Sequence, residues 1–442
     1  MSPFIRDTVT AFSTRMIAIG LGLAAASVIA RHLGPGGQGA YSFVVLISTL
    51  LALVSNLGLG IANVYFGGTK RYTFEELASN SLVAAYLIGV PLASAFLLYY
   101  FAVHPSFLKD VAPLVVVLAA FVVPSNLLVL YFSHILLAQK RIAEFNYLTL
   151  AQSGVAFIFV FALLVVSGAG LVGAILAWTG GVVVSAWLAV RFVRKVTALR
   201  WSFSPSLFSA SAKFGIQGYM GSIVAFLYYR LDMFLVALFL NMTAVGYYSV
   251  GVAVAESLWI FPATVGSLIF ARTAASSWEE ANARTPRICR NTFFLTLLAG
   301  GVLFVVSKPL ILLVFGSRFL PALVPLRFLL PGTLILCFDK VLGNEITGRG
   351  KPLVGTAIAT LSLSIAIPLY LIFIPRMGIA GAALASTVSY SATAVMTLLT
   401  FLRMAHIGWL EVILPTREDM GIYASVLARS RTWVVEKIAF DK

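Results

Sequence analysis

Five ionisable residues lie within long apolar stretches of the sequence, where a charge is costly: Arg230, Asp232, Glu256, Asp339 and Lys340. Inside a membrane, ionisable side chains usually face a water-filled cavity or pair with one another. A carboxylate in such a place can exchange a proton or a cation, and a basic side chain can attract an anionic group. The five residues therefore predict a substrate cavity with an ion-coupling site, and the alternative is a structural network of buried ion pairs.

Two of these charges belong to one apolar stretch but cannot pair simply with each other. Arg230 and Asp232 are two residues apart, which places them on nearly opposite sides of a straight helix. Glu256 is the nearest candidate partner for Arg230, and Lys340 is a candidate partner for Asp232. Glu345 lies near the end of another stretch, and we expect it to reach water there.

Two glycine-rich stretches resemble phosphate-binding motifs in their spelling alone. Residues Gly34 to Gly39 match the dinucleotide-binding expression, but they join two apolar stretches instead of a strand and a helix. Residues Gly348 to Pro352 carry proline where a phosphate loop has serine or threonine. Cys289 and Cys337 belong to no metal-ligand spacing. The sequence therefore predicts no cofactor and no metal site.

The composition indicates that membrane helices must position the five charges. The chain has 442 residues, of which 60% are hydrophobic and 11% charged, and its mean hydropathy is +0.98. A soluble domain has about 25% charged residues, so a sizeable soluble catalytic domain is excluded. The net charge of +15 would suggest nucleic acid binding in a soluble protein, but here we interpret it as membrane topology.

Apolar runs long enough to cross a bilayer recur from end to end, and a spanning helix needs about 20 such residues. No run shows the alternation of a membrane β-strand, so we predict an all-α integral membrane protein. The twelve predicted segments are Phe12 to Ala30, Tyr41 to Phe66, Ser81 to Ala102, Ala112 to Leu137, Tyr147 to Val166, Leu171 to Val193, Phe214 to Leu240, Val245 to Ala271, Thr292 to Phe315, Ala322 to Ile346, Leu353 to Ile374 and Ile379 to Leu402.

The distribution of lysine and arginine among the connecting loops predicts the topology. With the N-terminus inside, 23 of the 31 basic residues fall on the cytoplasmic side, 6 fall outside and Arg230 and Lys340 lie within segments. Basic residues collect in cytoplasmic loops, so both termini are predicted to be cytoplasmic. Arg15 lies near the start of the first segment and Arg31 just after its end, and they are expected to add positive charge at the two mouths of the cavity.

The second half of the chain repeats the first. Residues 32–42 and 239–249 share Leu, Gly, Tyr and Ser at an offset of 207, and residues 170–177 and 378–385 share five of eight residues at an offset of 208. Two copies of six helices enter the membrane in the same direction, as in the parallel repeats of transporters. Gly215, Gly218 and Gly221 share one face of the seventh segment and predict a close helix contact.

The repeat predicts a division of the chain into two lobes. Residues 1–195 form an N-lobe with helices 1 to 6, and residues 214–405 form a C-lobe with helices 7 to 12. Residues 196–213 form a basic cytoplasmic linker, and residues 406–442 form a cytoplasmic tail with a short interfacial helix or a loose chain. All five intramembrane charges belong to the C-lobe.

Several of these motifs together carry a family resemblance. They are Arg31-His32-Leu33-Gly34-Pro35 with Gly39-Ala40-Tyr41, Asn56-Leu57-Gly58-Leu59-Gly60, Phe214-Gly215-Ile216-Gln217-Gly218, Tyr229-Arg230-Leu231-Asp232 and Val245-Gly246-Tyr247-Tyr248-Ser249. Over residues 5–405 the chain resembles the Wzx-type polysaccharide flippases, in the superfamily of multidrug, oligosaccharidyl-lipid and polysaccharide exporters. The resemblance implies a MATE-like fold that moves undecaprenyl-pyrophosphate-linked oligosaccharides across the bacterial inner membrane by alternating access, alongside other polysaccharide assembly proteins.

Two other functions stay open from the sequence. A drug or metabolite exporter of the same superfamily would couple export to H⁺ or Na⁺ through carboxylates such as Asp232 and Glu256. A membrane polysaccharide polymerase would also be basic and polytopic, although such enzymes usually carry a large outer loop and here the outer connections are short. No nucleic acid partner is expected in any of these cases.

Overall fold

The computed structural model describes residues 3–274 and 276–414 together with Thr416 and Asp419, and it describes side chains from Ser13 onward apart from Arg15. These residues form helices and connections without any strand, so the predicted all-α fold is confirmed. The α-helices are α1 (Pro3–Ser55), α2 (Leu59–Gly68), α3 (Phe74–Val103), α4 (Pro113–Phe121), α5 (Val123–Ala138), α6 (Ile142–Val160), α7 (Gly170–Arg194), α8 (Pro205–Phe239), α9 (Met242–Glu256), α10 (Ile260–Thr273), α11 (Trp278–Val314), α12 (Leu323–Ile335), α13 (Asn344–Gly348), α14 (Pro352–Met377), α15 (Ile379–Ala405) and α16 (Trp409–Ile413).

Eleven helical stretches of the described chain are long and apolar enough to cross a membrane. The first of them, Met16–Ser55, has 40 residues, and a straight helix of that length would measure about 60 Å against a hydrocarbon core of about 30 Å. Gly34 breaks the helix there with φ 67° and ψ −177°, so α1 consists of two helices. The helices on either side of this break correspond to the first two of the twelve predicted segments.

The second predicted segment is itself interrupted. Leu57 and Gly58 have φ of 49° and 72°, which ends α1 and starts α2 in a new direction. Left-handed backbone favours glycine, so Gly58 suits this turn. The carbonyl oxygen of Asn56 accepts from the backbone N–H of Leu59 and from the hydroxyl of Tyr131 on α5, each over 3.1 Å, so this hydroxyl holds the turn against α5.

The linker between the two copies of the repeat is tied to α3. Arg200 forms an ion pair with Glu75 over 2.9 Å, and its backbone N–H donates to the hydroxyl of Ser79. The backbone N–H of Ser204 donates to the side-chain oxygen of Asn80 over 3.1 Å. These contacts fix the linker before α8 begins.

The chain contains two compact units. The first unit comprises residues 1–251, 308–324 and 370–382, and a core cluster of residues from α2, α3, α5, α6 and α7 lies within it. The second unit comprises residues 252–307, 325–369 and 383–442, and its core includes Cys289, Cys337 and Phe401. The predicted lobe boundaries at residues 195 and 214 stay a prediction.

The beginning of the predicted tail packs on the second unit. Val412 of α16 is fully buried in its core. The Asp419 carboxylate accepts from Arg290 over 2.5 Å, and the hydroxyl of Thr416 donates to the same carboxylate over 2.7 Å. The rest of the tail, including the predicted interfacial stretch around Trp433, lies outside the described residues.

Candidate functional site

Asp232 is a buried carboxylate of the first unit, and only 2% of its surface is exposed. The hydroxyl of Tyr248 on α9 donates to its Oδ2 over 2.6 Å, and the backbone N–H of Met233 donates to its Oδ1 over 2.7 Å. Burial of a carboxylate is expensive unless hydrogen bonds satisfy its oxygens, and these two donors reduce that cost. Asp232 is thus a positioned acid inside the membrane helices.

Tyr248 is a functional candidate that sequence reasoning missed, although the repeat contains a signal for it. At the offset of 207, Tyr248 corresponds to Tyr41 and Asp232 corresponds to Ala25. In the first copy, Tyr41 and Ala25 pack against the same apolar cluster. The second copy therefore has a hydrogen-bonded acid and phenol where the first copy has an apolar contact.

The three predicted arginines have different surroundings. Arg230 lies on the same unbroken helix as Asp232, half-buried, and its guanidinium reaches the carbonyl of Tyr229 over 3.5 Å. Arg31 donates to the backbone carbonyls of Leu313 and Val314 at the C-terminal end of α11. The side chain of Arg15 lies outside the described residues.

In the second unit, Lys340 and Asp339 lie side by side on a π-helical turn, Asp339–Gly343. The ammonium of Lys340 lies 4.6 Å from the ring centre of Trp259, in a cation–π arrangement. The hydroxyl of Thr397 on α15 donates to Asp339 over 2.9 Å. Single π-helical turns occur frequently at functional sites, so this one marks the pair as a candidate site of its own.

Glu256 ends α9 at a change of helix type. A 3₁₀ turn, Ser257–Trp259, follows it directly and brings Trp259 to Lys340. Glu256 is half-buried. Its predicted pairing with Arg230, like that of Lys340 with Asp232, stays a prediction.

The expectation that Glu345 reaches water is wrong. Its side chain is fully buried and forms an ion pair with Arg349, one turn further along the chain, over 2.7 Å. Thr273 donates a hydrogen bond to the same carboxylate. The guanidinium of Arg349 is covered by the rings of Trp278 and Phe401, at 5.0 and 5.4 Å. At this helix end the carboxylate of Glu345 therefore contacts the buried guanidinium of Arg349 instead of water.

An apolar groove of about 320 Å³ lies between α1, α3 and α8 of the first unit. The ring of Phe43 forms its centre, with Phe107 and Phe234 packed edge-on at 5.9 and 5.6 Å. Its size and composition suit hydrocarbon chains. The groove is lined by Phe43, Ile47, Leu50, Leu51, Phe96, Phe107, Phe234, Leu235 and Leu238.

The site residues offer hydrogen-bonding and charge chemistry. Among the described residues, no group of three or more histidine, cysteine, aspartate or glutamate side chains could hold a metal ion. Both cysteines are free thiols with fully buried side chains. The arrangement can hold a proton or a cation on buried carboxylates and can attract an anion to basic groups.

Comparison with protein families gives a match over more than half of the chain. The family model described as polysaccharide biosynthesis protein matches residues 4–269. A curated relative, the probable low-salt glycan biosynthesis flippase Agl15 of Haloferax volcanii, is 24% identical over 238 aligned residues. The match covers 49% of this chain and 50% of that relative, so about half the length of each protein is compared.

Solved structures match over nearly the whole chain. The lipid II flippase MurJ in an inward closed conformation has a TM-score of 0.76 at 14% identity, with 91% of this chain and 90% of that chain covered. An inward-facing multidrug resistance MATE family transporter has a TM-score of 0.72 at 14% identity, with 90% and 98% covered. The predicted MATE-like fold is therefore confirmed.

Proposed function

Because the chain belongs to the polysaccharide biosynthesis protein family, we propose that it moves a lipid-linked oligosaccharide across the membrane by alternating access. The observation that carries this proposal is the family match over residues 4–269. The curated relative named as a glycan biosynthesis flippase supports the same activity. The fold neighbours are transporters, which favours transport over the polymerase alternative.

The chemistry of a lipid-linked saccharide suits the groups that these helices carry. Its polar head cannot cross hydrocarbon unaided, because each unsatisfied polar group there costs several kcal/mol. The buried Asp232 and the half-buried Asp339 and Lys340 supply polar partners within the membrane helices. Its lipid tail never has to leave the bilayer, and the groove around Phe43 is an apolar surface along which a tail can pass.

The finer assignment concerns the carrier and the membrane. We propose undecaprenyl pyrophosphate as the carrier, the bacterial inner membrane as the location, and a cytoplasmic position for both termini. Other polysaccharide assembly proteins would supply the loaded carrier and use the flipped product. In this arrangement Arg230, Asp232, Glu256, Asp339, Lys340, Arg15 and Arg31 belong to the substrate cavity or its mouths.

Reconstituted liposomes test the proposal directly. Purified protein is placed in sealed liposomes with a fluorescent polyprenyl-pyrophosphate oligosaccharide, and the fraction accessible to an impermeant quencher is followed in time. We expect exchange between leaflets with the wild-type protein and little exchange with Arg230→Ala. Empty liposomes give the background. Exchange equal to that background with folded wild-type protein would overturn the proposed function.

A second candidate is an ion-coupled exporter of drugs or metabolites. The observation that favours it is the TM-score of 0.72 to a multidrug resistance transporter together with the buried, hydrogen-bonded Asp232. Efflux of cationic dyes from cells that express the protein, abolished by Asp232→Asn, would support this function. Loss of surface polysaccharide in a deletion strain with unchanged drug sensitivity would exclude it.

A further inference from the structure

A small polar pocket lies within the second unit, where the end of α10 meets the start of α11. Its volume is about 30 Å³, and a water molecule needs roughly 10–15 Å³ of such space, so the pocket admits one or two oxygen-sized groups. The last turn of α10 contributes Arg272 and Thr273, and the start of α11 contributes Glu280, Arg284 and Thr285. The distribution of basic residues predicts that this end of the unit is cytoplasmic.

The pocket carries an excess of positive charge. Arg272 and Arg284 are exposed, and among the described residues neither of them forms an ion pair. Glu280 supplies the negative charge of the lining, so two positive charges are present with one negative charge. A cleft with such an excess raises the local concentration of anions.

The buried carboxylate behind the pocket does not add to its charge. Thr273 donates a hydrogen bond to the carboxylate of Glu345, which lies outside the pocket lining. Glu345 is neutralised by the ion pair with Arg349, and the guanidinium of Arg349 also donates to the side-chain oxygen of Asn282 over 2.7 Å. This buried layer is therefore neutral and holds Thr273 in place, and the residues of the lining alone determine which charge the pocket attracts.

Two hydroxyl groups complete the lining. Thr285 is only 3% exposed, and within the described part of the chain its hydroxyl has no hydrogen-bond partner. Buried polar groups normally have such a partner, so this hydroxyl is available to donate to a bound ligand. Ser276 lines the same pocket in the connection before α11. Hydroxyl donors and guanidinium groups together suit the oxygens of a phosphate.

The surroundings indicate that the pocket lies at the level of lipid headgroups. Leu268 and Phe270 of α10 are exposed apolar side chains, as expected where a helix faces lipid. Trp278, the first residue of α11, is also exposed, and the ammonium of Lys351 lies 5.5 Å from its ring centre. Tryptophan is enriched at the membrane–water interface, and lysine near a helix end reaches the headgroups. A lipid headgroup can therefore reach this pocket.

We propose that the pocket lined by Arg272, Ser276, Glu280, Arg284 and Thr285 binds a phosphate group carried by a lipid of the cytoplasmic leaflet. Guanidinium groups bind phosphate through paired N–H donors, and the buried hydroxyl gains the acceptor that it lacks. The pyrophosphate of a polyprenyl carrier and the phosphate of an anionic phospholipid share this chemistry. The inference does not depend on the proposed transport function, because binding is measured without transport.

Native mass spectrometry of the purified protein tests this binding. The protein in detergent is titrated with undecaprenyl pyrophosphate or with dioleoyl phosphatidylglycerol, and the fraction with one bound lipid gives the affinity. Undecaprenol and dioleoylglycerol have the same tails without phosphate and are the matched control ligands. We expect at least one phosphate lipid to bind severalfold more tightly than its control. Stronger binding of undecaprenyl pyrophosphate would identify the carrier as the ligand, and stronger binding of phosphatidylglycerol would identify a bulk lipid.

Substitutions with opposite expected effects locate the site. Arg272→Gln should weaken binding severalfold, and Glu280→Gln should strengthen it, because it removes a negative charge from the pocket. Thr285→Val should weaken binding about tenfold, the contribution of a hydrogen bond to a charged group, and Thr285→Ser, which keeps the hydroxyl, should bind as the wild type. The matched controls Arg403→Gln and Glu279→Gln change exposed residues outside the pocket by the same charge and should not change the affinity.

Cysteine protection tests the position of the bound lipid. Ser276→Cys places a thiol in the pocket lining, whereas the natural Cys289 and Cys337 are fully buried, so a maleimide should modify the introduced thiol selectively. A saturating phosphate lipid should slow this modification severalfold. Lys70→Cys, an exposed position outside the second unit, is the control and should react at an unchanged rate.

These experiments separate failure of the phosphate site from failure of the proposed function. Equal binding of the phosphate lipids and their controls, unchanged affinity in Arg272→Gln and Thr285→Val, or modification of Ser276→Cys that saturating lipid does not slow would overturn the site, even if exchange between leaflets is confirmed. A site that passes these tests in a protein without exchange would stand, and the proposed function alone would fail.

Discussion

At the scale of single residues, the repeat shows how an apolar scaffold acquired a polar site. Ala25 and Tyr41 of the first copy correspond to Asp232 and Tyr248 of the second. The tyrosine is common to both copies, and only its neighbour differs. In the second copy the phenol of Tyr248 donates to the carboxylate of Asp232 over 2.6 Å. The two copies thus differ at this contact by the presence of the carboxylate that the tyrosine hydroxyl binds.

Removal of the phenol hydroxyl tests this interpretation. Tyr248→Phe leaves a buried carboxylate short of one donor, and such a loss costs about 1–3 kcal/mol. We expect a lower thermal midpoint for Tyr248→Phe and a smaller change for the equivalent Tyr41→Phe, measured by scanning fluorimetry in detergent. The double variant Asp232→Ala with Tyr248→Phe should be more stable than the sum of the single effects predicts. Additive effects would show that the hydrogen bond contributes nothing.

Asp419 makes a residue-scale prediction on pH. Burial raises the pKa of its carboxyl, but hydrogen bonds from Thr416 and Arg290 outweigh burial and lower the pKa from 3.8 to about 2. A group with a lowered folded-state pKa stabilises the structure above its unfolded pKa and loses that effect as the pH falls toward 2. Attachment of the segment around α16 should thus not change between pH 8 and pH 5.

Limited proteolysis measures this attachment. We expect Asp419→Asn to speed cleavage between residues 406 and 416 severalfold at pH 7, because Arg290 then lacks its charged partner. Arg284→Gln changes an exposed arginine of α11, the helix that also carries Arg290, and serves as the control. Cleavage of the wild type that rises between pH 8 and pH 5 would contradict the role of Asp419.

At the scale of helices, glycines set where backbones cross. The prediction of a close contact from the glycine face of α8 is confirmed at Gly215, where a Cβ would lie 2.5 Å from the carbonyl carbon of Gly58. At Gly218 a Cβ would meet nothing within 4 Å. The spacing of the glycines thus predicts which face of α8 makes a close contact, but it does not predict which glycine on that face makes it.

The difference between Gly215 and Gly218 provides a matched pair of substitutions. Gly215→Ala places a methyl group inside the backbone of the α1–α2 turn, where Gly58 cannot yield, so we expect less folded protein and a lower thermal midpoint. Gly218→Ala, one turn further along the same helix, should behave as the wild type. Size-exclusion profiles and melting curves of both variants decide this. Equal behaviour would mean that α8 can shift to accommodate the methyl group.

At the scale of the whole molecule, the sequence predicted the number and order of segments because hydrocarbon imposes one length on every span. It also predicted the repeat, because both copies keep residues such as Gly39 and Gly246, at which backbones approach closely. It could not predict that these equivalent glycines touch, because an offset reports similarity and not distance. The sequence did not predict the burial of Glu345. Its ion-pair partner Arg349 lies four residues further along the chain, but the rings that cover Arg349 belong to Trp278 and Phe401, which are distant in sequence.

The break at Gly34 decides the topology of the entire chain. If Met16–Ser55 crossed the membrane once, eleven spans would place the termini on opposite sides. If the helices on either side of the break each cross, there are twelve spans, and an even number predicts both termini on the same side. We therefore expect single cysteines at Lys70 and Arg200 to react with an impermeant reagent from the cytoplasmic side, and one at Arg318 to react from the outer side. Spheroplasts and inverted vesicles give the two orientations. The break itself is tested by a single cysteine at the exposed His32, which lies beside it and should also react from the outer side. Failure of His32→Cys to react from that side would show that Met16–Ser55 crosses the membrane once.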